Sequence, residues 1–576
     1  MRERDPEPAD PVVLSAGAVV VVSRVVVSRH GEQTRSDAPA QPPKDFTELV
    51  RLGCEEFVLK GIGLPLAAYV FHAVKLSLLV LGWMFFVSFT PGLGSPFTFG
   101  SWWSEGIAFQ KAFLWGCLFE SLGFGCMSGP LGFHLVPPFT AFLHFLRPGT
   151  VKIAPFPRLP LFGGTTRTWL DVTLYAAFVV AVVRALVAPA IDTAHLVPIV
   201  VLLPLCALGD VTIPLAARFE HHFAMIVCFL LAGNWIAGCK AVQLAVWFWA
   251  GVSKLTVAFG YVIPVMTANN PFLRSTWLRR RLFVSYPDDL TPSRLGKLMA
   301  HMGTALEFGA PLTLLFVTEP GPLLVFGMIL VLMLHGFIIS NVPAGAVFEW
   351  NVLSVYAAFF LFVAHPEVRI SELGSTPLAI YLVIGLIVLP LVGNLVPSRV
   401  SFLIAMRYYA GNWAWNAWLF RGDSYKKLHK LKRASPLFQE QLERLMPEEA
   451  ALTECRGMAF RSLHLQGRTL GLLLPRAIGD RPFSEYKYID SENVAGSVLG
   501  WNFGEGHLGD ERLLACVQEL CGFEEGELRA IMVESQPILG STLHWRINDA
   551  KRGRLDEGWV SLAELSRRKP WDYGPV

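Results

Sequence analysis

Charge is what this sequence is short of. Only 16% of its 576 residues are Asp, Glu, Lys or Arg, against about 25% in a soluble domain. The deficit falls before residue 400; beyond it charges are dense. With 53% hydrophobic residues, the chain needs lipid as its solvent. It has no extended basic stripe, and a net charge of +3 gives no ground for a nucleic-acid partner. Nine cysteines are scattered without a CxxC, and Cys516 and Cys521 form only a CxxxxC, so neither a disulfide framework nor a zinc site is expected. A secretory signal is missing as well. The first residues, MRERDPEPAD, are acidic where a signal is basic, and the apolar run Val12–Val27 is broken by Ser23 and Arg24. Residues 1–45 read as a disordered tail. No internal repeat, no HxxxH or HxxHH box and no GK[ST] after a glycine loop occurs, which removes the histidine-box and Walker A chemistries.

What is present is a series of apolar windows near 64–90, 111–131, 168–189, 195–216, 222–237, 241–258, 298–318, 322–341, 346–364 and 376–397. Each approaches the ~20 residues that span a bilayer, giving about ten transmembrane helices. Gly233-Asn234 and Gly238-Cys239-Lys240 break the 222–258 stretch into a hairpin. Basic residues fall mostly in alternate loops: Arg147, Lys152, Arg158 and Arg167 in one, and Arg274, Arg279, Arg280, Arg281, Arg294 and Lys297 in another. This positive-inside pattern puts both termini in the cytoplasm of a multi-pass cell-membrane protein. Arg369, in a loop assigned outside, is an exception. The 132–167 stretch and the Trp- and Tyr-rich 401–420 stretch are expected at the headgroups.

After about Gly422 the chain becomes charged and mixed in period. SYKKLHKLKRASPLFQEQLERL reads as a basic amphipathic helix, DERLLACVQELC as a helix, and RTLGLLLPRAI, SVLGWNF, RAIMVES and STLHWRIND as strands. The expected architecture is an all-α polytopic helix bundle with a small C-terminal α+β cytoplasmic domain. The tail covers 1–45, the bundle with its interfacial segments 46–420, and the cytoplasmic domain 421–576.

Ionisable residues within membrane segments are costly and mark candidate sites: His72, Lys75, Glu120, Arg184, Asp210, Glu220, His221, His222, Lys254, His301, Glu307, His335 and Glu349. Glu220, His221 and His222 sit near a helix end, where snorkelling is the alternative. Lys75 and Arg184 stand alone in their helices and are expected as bundle ion pairs. Lys254 is the sharpest candidate. At about 100° per residue, Gln243, Trp247, Gly251 and Lys254 share one stripe, with the glycine leaving room for another backbone. A desolvated ammonium suits a base; a carboxylate partner or the headgroups would occupy it otherwise. His301 and Glu307 lie about 120° apart on the next helix.

The segment WFWAGVSKL resembles the aromatic-aliphatic-Ala-Gly-x-x-Lys-Leu segment of the vitamin K-dependent γ-carboxylase superfamily, and HMGTALEFGAPLTLLF and LMLHGFIISNVPAGAVFEWN resemble its later helices. The resemblance spans roughly 168–365 and implies a base at Lys254 and a histidine at His221 or His222 in FEHHFAM. It does not extend to the superfamily's glutamate-substrate machinery. Size and layout also resemble an uncharacterised family of actinobacterial transmembrane proteins. Taken together, the expected catalytic residues are Lys254, His222, His301 and Glu307, and the expected substrate contacts are Gln243, Trp247, His335 and Glu349. The partners are the bilayer and a lipid, quinone or other apolar small molecule; no cofactor or metal is identified. A transporter or lipid-handling protein without chemistry, and a scaffold whose C-terminal domain recruits a partner, are the alternatives. Gly504-Glu-Gly506-His-Leu-Gly509 spells a dinucleotide fingerprint, but Asp510 and Glu511 would face the pyrophosphate, and a glycine turn followed by an acid-capped helix is the plainer reading.

Overall fold

Every apolar window of the sequence carries helix in the computed structural model, which describes residues 46–231, 233–342, 347–408 and 411–573; the expected N-terminal tail lies outside them. In chain order the helices are α1 Phe46–Lys60, α2 Leu66–Val87, α3 Gly106–Ser121, α4 Trp169–Val187, α5 Thr193–Gly209, α6 Phe219–Leu231, α7 Trp235–Ser253, α8 Phe259–Asn269, α9 Arg294–Leu315, α10 Pro322–Ile339, α11 Phe348–Ala364 and α12 Thr376–Leu395. Five of these (α2, α4, α7, α10 and α12) are long and apolar enough to cross a membrane; α5, α6 and α11 are apolar but shorter. Of the five, α2, α4, α10 and α12 leave much of their apolar surface outward, as on α2, where Leu66, Val70, Val74, Leu78, Leu81 and Phe85 form an exposed stripe at helical spacing. In contrast, α7 has 72% of its apolar window buried. It is the central helix, and the groups it carries face protein.

The remainder is built on a five-stranded antiparallel sheet: β1 Trp415–Arg421, β2 Tyr486–Asp490, β3 Leu528–Val533, β4 Thr542–Asp549 and β5 Gly553–Ser561, in the order β2-β1-β3-β4-β5. Around it lie α13 Ala450–Ser462, α14 Leu465–Ile478, α15 Ser491–Leu499 and α16 Glu511–Cys521. The pleat sends alternate side chains to opposite faces. Trp415, Ala417 and Leu419 pack with α14, while Trp418 and Phe420 join a core that runs without a break into the helix bundle. One face of the sheet is thus closed by α14, and the other by α15, α16 and the turn between them, whose core continues into the membrane bundle. α1 lies along α13 and also touches α8.

Several segments differ from their sequence reading. The aromatic stretch expected at the headgroups contains strand β1, paired on both sides, and Trp415 and Trp418 are 1% and 0% exposed. RTLGLLLPRAI is helix α14, because Leu470, Leu473, Leu474, Ala477 and Ile478 recur at helical spacing. SVLGWNF is the end of α15, closed by Gly500 in the left-handed region, and the loop after it. SYKKLHKLKRASPLFQEQLERL is a 3-10 turn over Ser424–Lys430 and a separate short helix Phe438–Leu445, parted around Pro436. The interfacial 132–167 segment packs inward: Lys152 is paired with Asp171 at 2.7 Å and Arg167 with Asp210 at 2.7 Å, all four wholly enclosed. Two of the charges that counted toward the loop pattern are therefore internal struts. RAIMVES, STLHWRIND and DERLLACVQELC form β3, β4 and α16 as expected.

Candidate functional site

Lys254 is not inside a helix but at its end, as the residue that closes α7. Its ammonium donates to Glu307 Oε2 at 2.5 Å, to the carbonyl of Tyr408 at 2.9 Å and to that of Ala250 at 3.3 Å. Lys254 and Glu307 are each about 5% exposed in their side chains. Gly251 makes room for the Phe308 ring, 3.3 Å from where a Cβ would stand, rather than for a second backbone. The Lys254 stripe on α7 is buried, but each member has a different partner. The Gln243 amide oxygen lies 3.0 Å from His221 Nε2. Trp247 donates its indole N–H to His335 Nε2 at 3.0 Å. That bond leaves the His335 proton on Nδ1, 2.7 Å from Asn351 Oδ1.

The polar interior continues through Tyr408. Its hydroxyl lies 2.5 Å from Glu220 and 3.0 Å from Arg218 Nη2. Arg218 bonds Glu220 at 2.6 Å, and its guanidinium lies 3.4 Å above the Trp350 ring. The Trp350 indole donates to Glu120 at 2.6 Å, whose other oxygen accepts from the Cys126 amide at 3.0 Å. Glu349 is paired with Lys75 at 3.1 Å. Arg218 holds a left-handed backbone, φ +55°, ahead of a π turn over Phe219–Phe223. Such a conformation is costly for a residue with a Cβ; here the guanidinium contacts hold it. The turn buries Glu220, His221 and His222 in succession, so none of them snorkels.

Other expectations fare differently. His301, expected with Glu307 among the catalytic residues, is instead exposed on α9, about 120° around the helix from Glu307. Arg184 is exposed in the last turn of α4 rather than paired in the bundle, while Lys75 is paired as expected. His222 is wholly buried against Gly116 of α3, and neither of its ring nitrogens makes a well-formed hydrogen bond to another described residue. Tyr408, the hinge of the network, lies in a stretch read as interfacial. Lys254, Glu307, Gln243, Trp247, His335 and Glu349 are all buried, each in one of the polar contacts described above.

A partly open pocket lies beside the Trp350 end of this network. This cavity, of about 240 Å³, is bounded by the segment before α2 (Ile62, Leu64), by Val262 and Met266 of α8, by Phe402 and Trp413, and by one face of α13. Phe503, in its wall, packs edge-on against Trp350 of the network, with ring centroids 5.3 Å apart. Most of the lining is apolar. Its titratable polar part is Glu454 and Arg461 of α13, His464 just after it, Asp490 at the end of β2 and Glu492 of α15, joined by the neutral Gln439, Thr453 and Asn493 and by the Tyr488 hydroxyl. Arg461 is committed to Asp490 at 2.5 Å and Glu492 at 3.1 Å and lies over Trp415. Burial pushes the Asp490 carboxyl up to about 6 despite Arg461. Burial, with Glu443 nearby, pushes Glu454 up to about 8. Glu454, Gly457, Met458, Arg461 and His464 recur at helical spacing; that polar stripe was the signal available in the sequence. Gly457 faces open space, with nothing within 4 Å of where a Cβ would stand.

The GEGHLG motif is accounted for by packing. Gly506 abuts the Ala414 carbonyl and Gly509 the Ser491 side chain, neither leaving room for a Cβ. Asp510 caps α16. His507 sits between two carboxylates, with Nδ1 2.9 Å from Glu505 and Nε2 2.8 Å from Glu534. Burial alone would lower its pKa, but Glu534 and Glu505 raise it to about 10. Burial opposes the ionised form of Glu534 too, and His507 overrides it, holding that carboxyl down to about 2. No group of three or more His, Cys, Asp or Glu side chains with metal-binding geometry occurs among the described residues.

Comparison with known proteins adds the family and nothing closer. No curated protein and no solved structure matches the chain. Residues 37–576 match the model of a family described as transmembrane protein of unknown function (DUF3556), and with nearly its whole length covered the chain belongs to that family.

Proposed function

We propose that this is a lipid-handling membrane protein that binds an amphiphile in the cavity between the helix bundle and the sheet. The observation that carries this reading is the position and lining of the cavity. Its wall at Ile62 and Leu64 immediately precedes the exposed apolar stripe of α2 in the chain, which in this reading faces the bilayer and offers an apolar approach to the cavity. Its volume is below the roughly 300–1,000 Å³ of pockets that enclose a whole drug-sized ligand, which suits a headgroup and the first part of a chain whose remainder stays in lipid. In this reading all ten apolar helices belong to the membrane bundle, and the region after about residue 421 lies on the cytoplasmic side of the cell membrane.

Lys254 serves this reading as a framework cation. A base must have a lone pair to offer, whereas the Lys254 ammonium donates to three acceptors and neutralises Glu307. The network fixes Trp350 and Tyr408, and through Phe503 the cavity wall.

Gly457→Phe tests the proposal, since the ring would enter the cavity from a helix position with free space. Full-length protein in detergent should lose co-purifying lipid and binding of a fluorescent long-chain amphiphile, with its thermal unfolding unchanged. Undiminished binding by a folded Gly457→Phe protein would overturn it.

A further inference from the structure

We infer that the amphiphile carries a cationic or hydrogen-bond-donating headgroup, an amine or a polyol, and not a carboxylate or phosphate; this rests on the cavity reading above. The charge lining the cavity is one-sided. Two carboxylates, of Asp490 and Glu492, share the wall with one guanidinium, that of Arg461, while the Glu454 carboxyl, held up to about 8 by burial, is protonated and uncharged at neutral pH. Both partners of Arg461 are among those carboxylates, so it is spent on them and is not held ready for an incoming anion. The next cation, Arg456, is drawn to Glu56 at 3.2 Å on α1.

Among the neutral groups, the Asn493 amide oxygen is already taken by the Phe438 amide at 3.0 Å, which leaves its NH2 group as a donor; the free acceptor comes from His464. His464 has Nδ1 2.7 Å from the Phe460 carbonyl. That carbonyl can only accept, so Nδ1 carries the proton and Nε2 is left with its lone pair. The polar end of the cavity therefore presents acceptors, the Asp490 and Glu492 carboxylate oxygens and the His464 imidazole nitrogen, beside the neutral donors of Thr453, Tyr488, Gln439 and Asn493. An ammonium or hydroxyl headgroup would meet partners there. An anion would meet like charge in a partly dehydrated wall.

The test compares three ligands of one chain length, dodecylamine, monolaurin and lauric acid, as competitors of a fluorescent amphiphile on the full-length protein. Dodecylamine and monolaurin should compete at least about tenfold better than lauric acid. The double substitution Asp490→Asn and Glu492→Gln keeps both shapes and frees Arg461, and should shift the preference toward lauric acid. If lauric acid competes as well as or better than the other two on the native protein, while Gly457→Phe abolishes all binding, the headgroup inference is overturned and the cavity reading stands. If Gly457→Phe leaves all three unchanged, the cavity is not the binding site and both fall. If the double variant keeps the native order of preference, the carboxylates do not set it and the inference fails.

Discussion

The Lys254 ammonium has three hydrogens and three acceptors within reach, one of them the Glu307 carboxylate. Removing one member of so enclosed a pair strands the other, at a cost of roughly 3–5 kcal/mol, whereas replacing both by apolar groups is often neutral. Lys254→Met should therefore lower the thermal unfolding temperature sharply, and Lys254→Met with Glu307→Leu should recover most of the loss. A residue held as a free base would behave otherwise, with the single substitution neutral in stability. Light scattering-monitored unfolding in detergent measures both. His507 supports a second residue-scale expectation. Its pKa is raised to about 10, so its stabilisation is complete below its unfolded pKa of about 6.5 and is lost as pH rises through about 10. Glu534, held down to about 2, contributes fully above its unfolded pKa of about 4.3 and loses that contribution as pH falls through about 2. Between about pH 4.5 and 6.5 both are intact. His507→Gln should narrow its stability deficit relative to the native protein from pH 6.5 to 10, and a deficit constant across that range would contradict the two-carboxylate clamp.

At the level of elements, tryptophans separate what a sequence discloses from what it hides. Trp418 is fully buried in β1, whereas Trp559 at the sheet edge is 65% exposed. Trp418→Ala should cost roughly 3–5 kcal/mol and Trp559→Ala less than about 1 kcal/mol, measured as shifts in unfolding by denaturant; equal effects would contradict the register of the sheet. Both residues look alike in sequence. Aromatics are favoured at membrane interfaces and in central strands alike, and only the partners β2 and β3, far along the chain, decide between them. β3 and β4 were legible as short apolar runs rich in β-branched and aromatic residues. α14 was not read as a helix because its leucine run hides a helical spacing in a continuous apolar stretch. The membrane helices were legible from hydropathy, which is a property of one segment. The candidate site was legible only in part for the same reason. Lys254 and Glu307 announce themselves as charges in apolar surroundings, whereas Tyr408, Arg461 and Asp490 become significant only when distant segments meet.

The whole molecule shows the strongest consequence of such meetings. The core that contains Phe229, Trp247 and Leu334 of the bundle also contains Trp418, Val494 and Met532 of the sheet region. Gln441, after the sheet has begun, receives the amides of Leu135 and Val136 at 2.7 and 3.2 Å and donates to the Phe133 carbonyl at 2.9 Å. Arg167 reaches the Leu499 carbonyl at 3.0 Å, and α1 has α13 as its main neighbour. Ending the chain at residue 421 would expose the bundle side of this core and leave buried backbone groups of the 132–167 segment without partners, a cost of about 1–3 kcal/mol for each added to the lost apolar burial. The truncated protein should therefore fail to give a single symmetric peak in size-exclusion chromatography, where the full-length protein gives one. Co-expression of residues 422–576 as a separate chain should restore the peak in part, because the interface is large and apolar and needs no covalent link. A monodisperse, thermally stable bundle ending at residue 421 would mean that the two parts fold independently, and the cavity between them would then be a feature of docking rather than of folding.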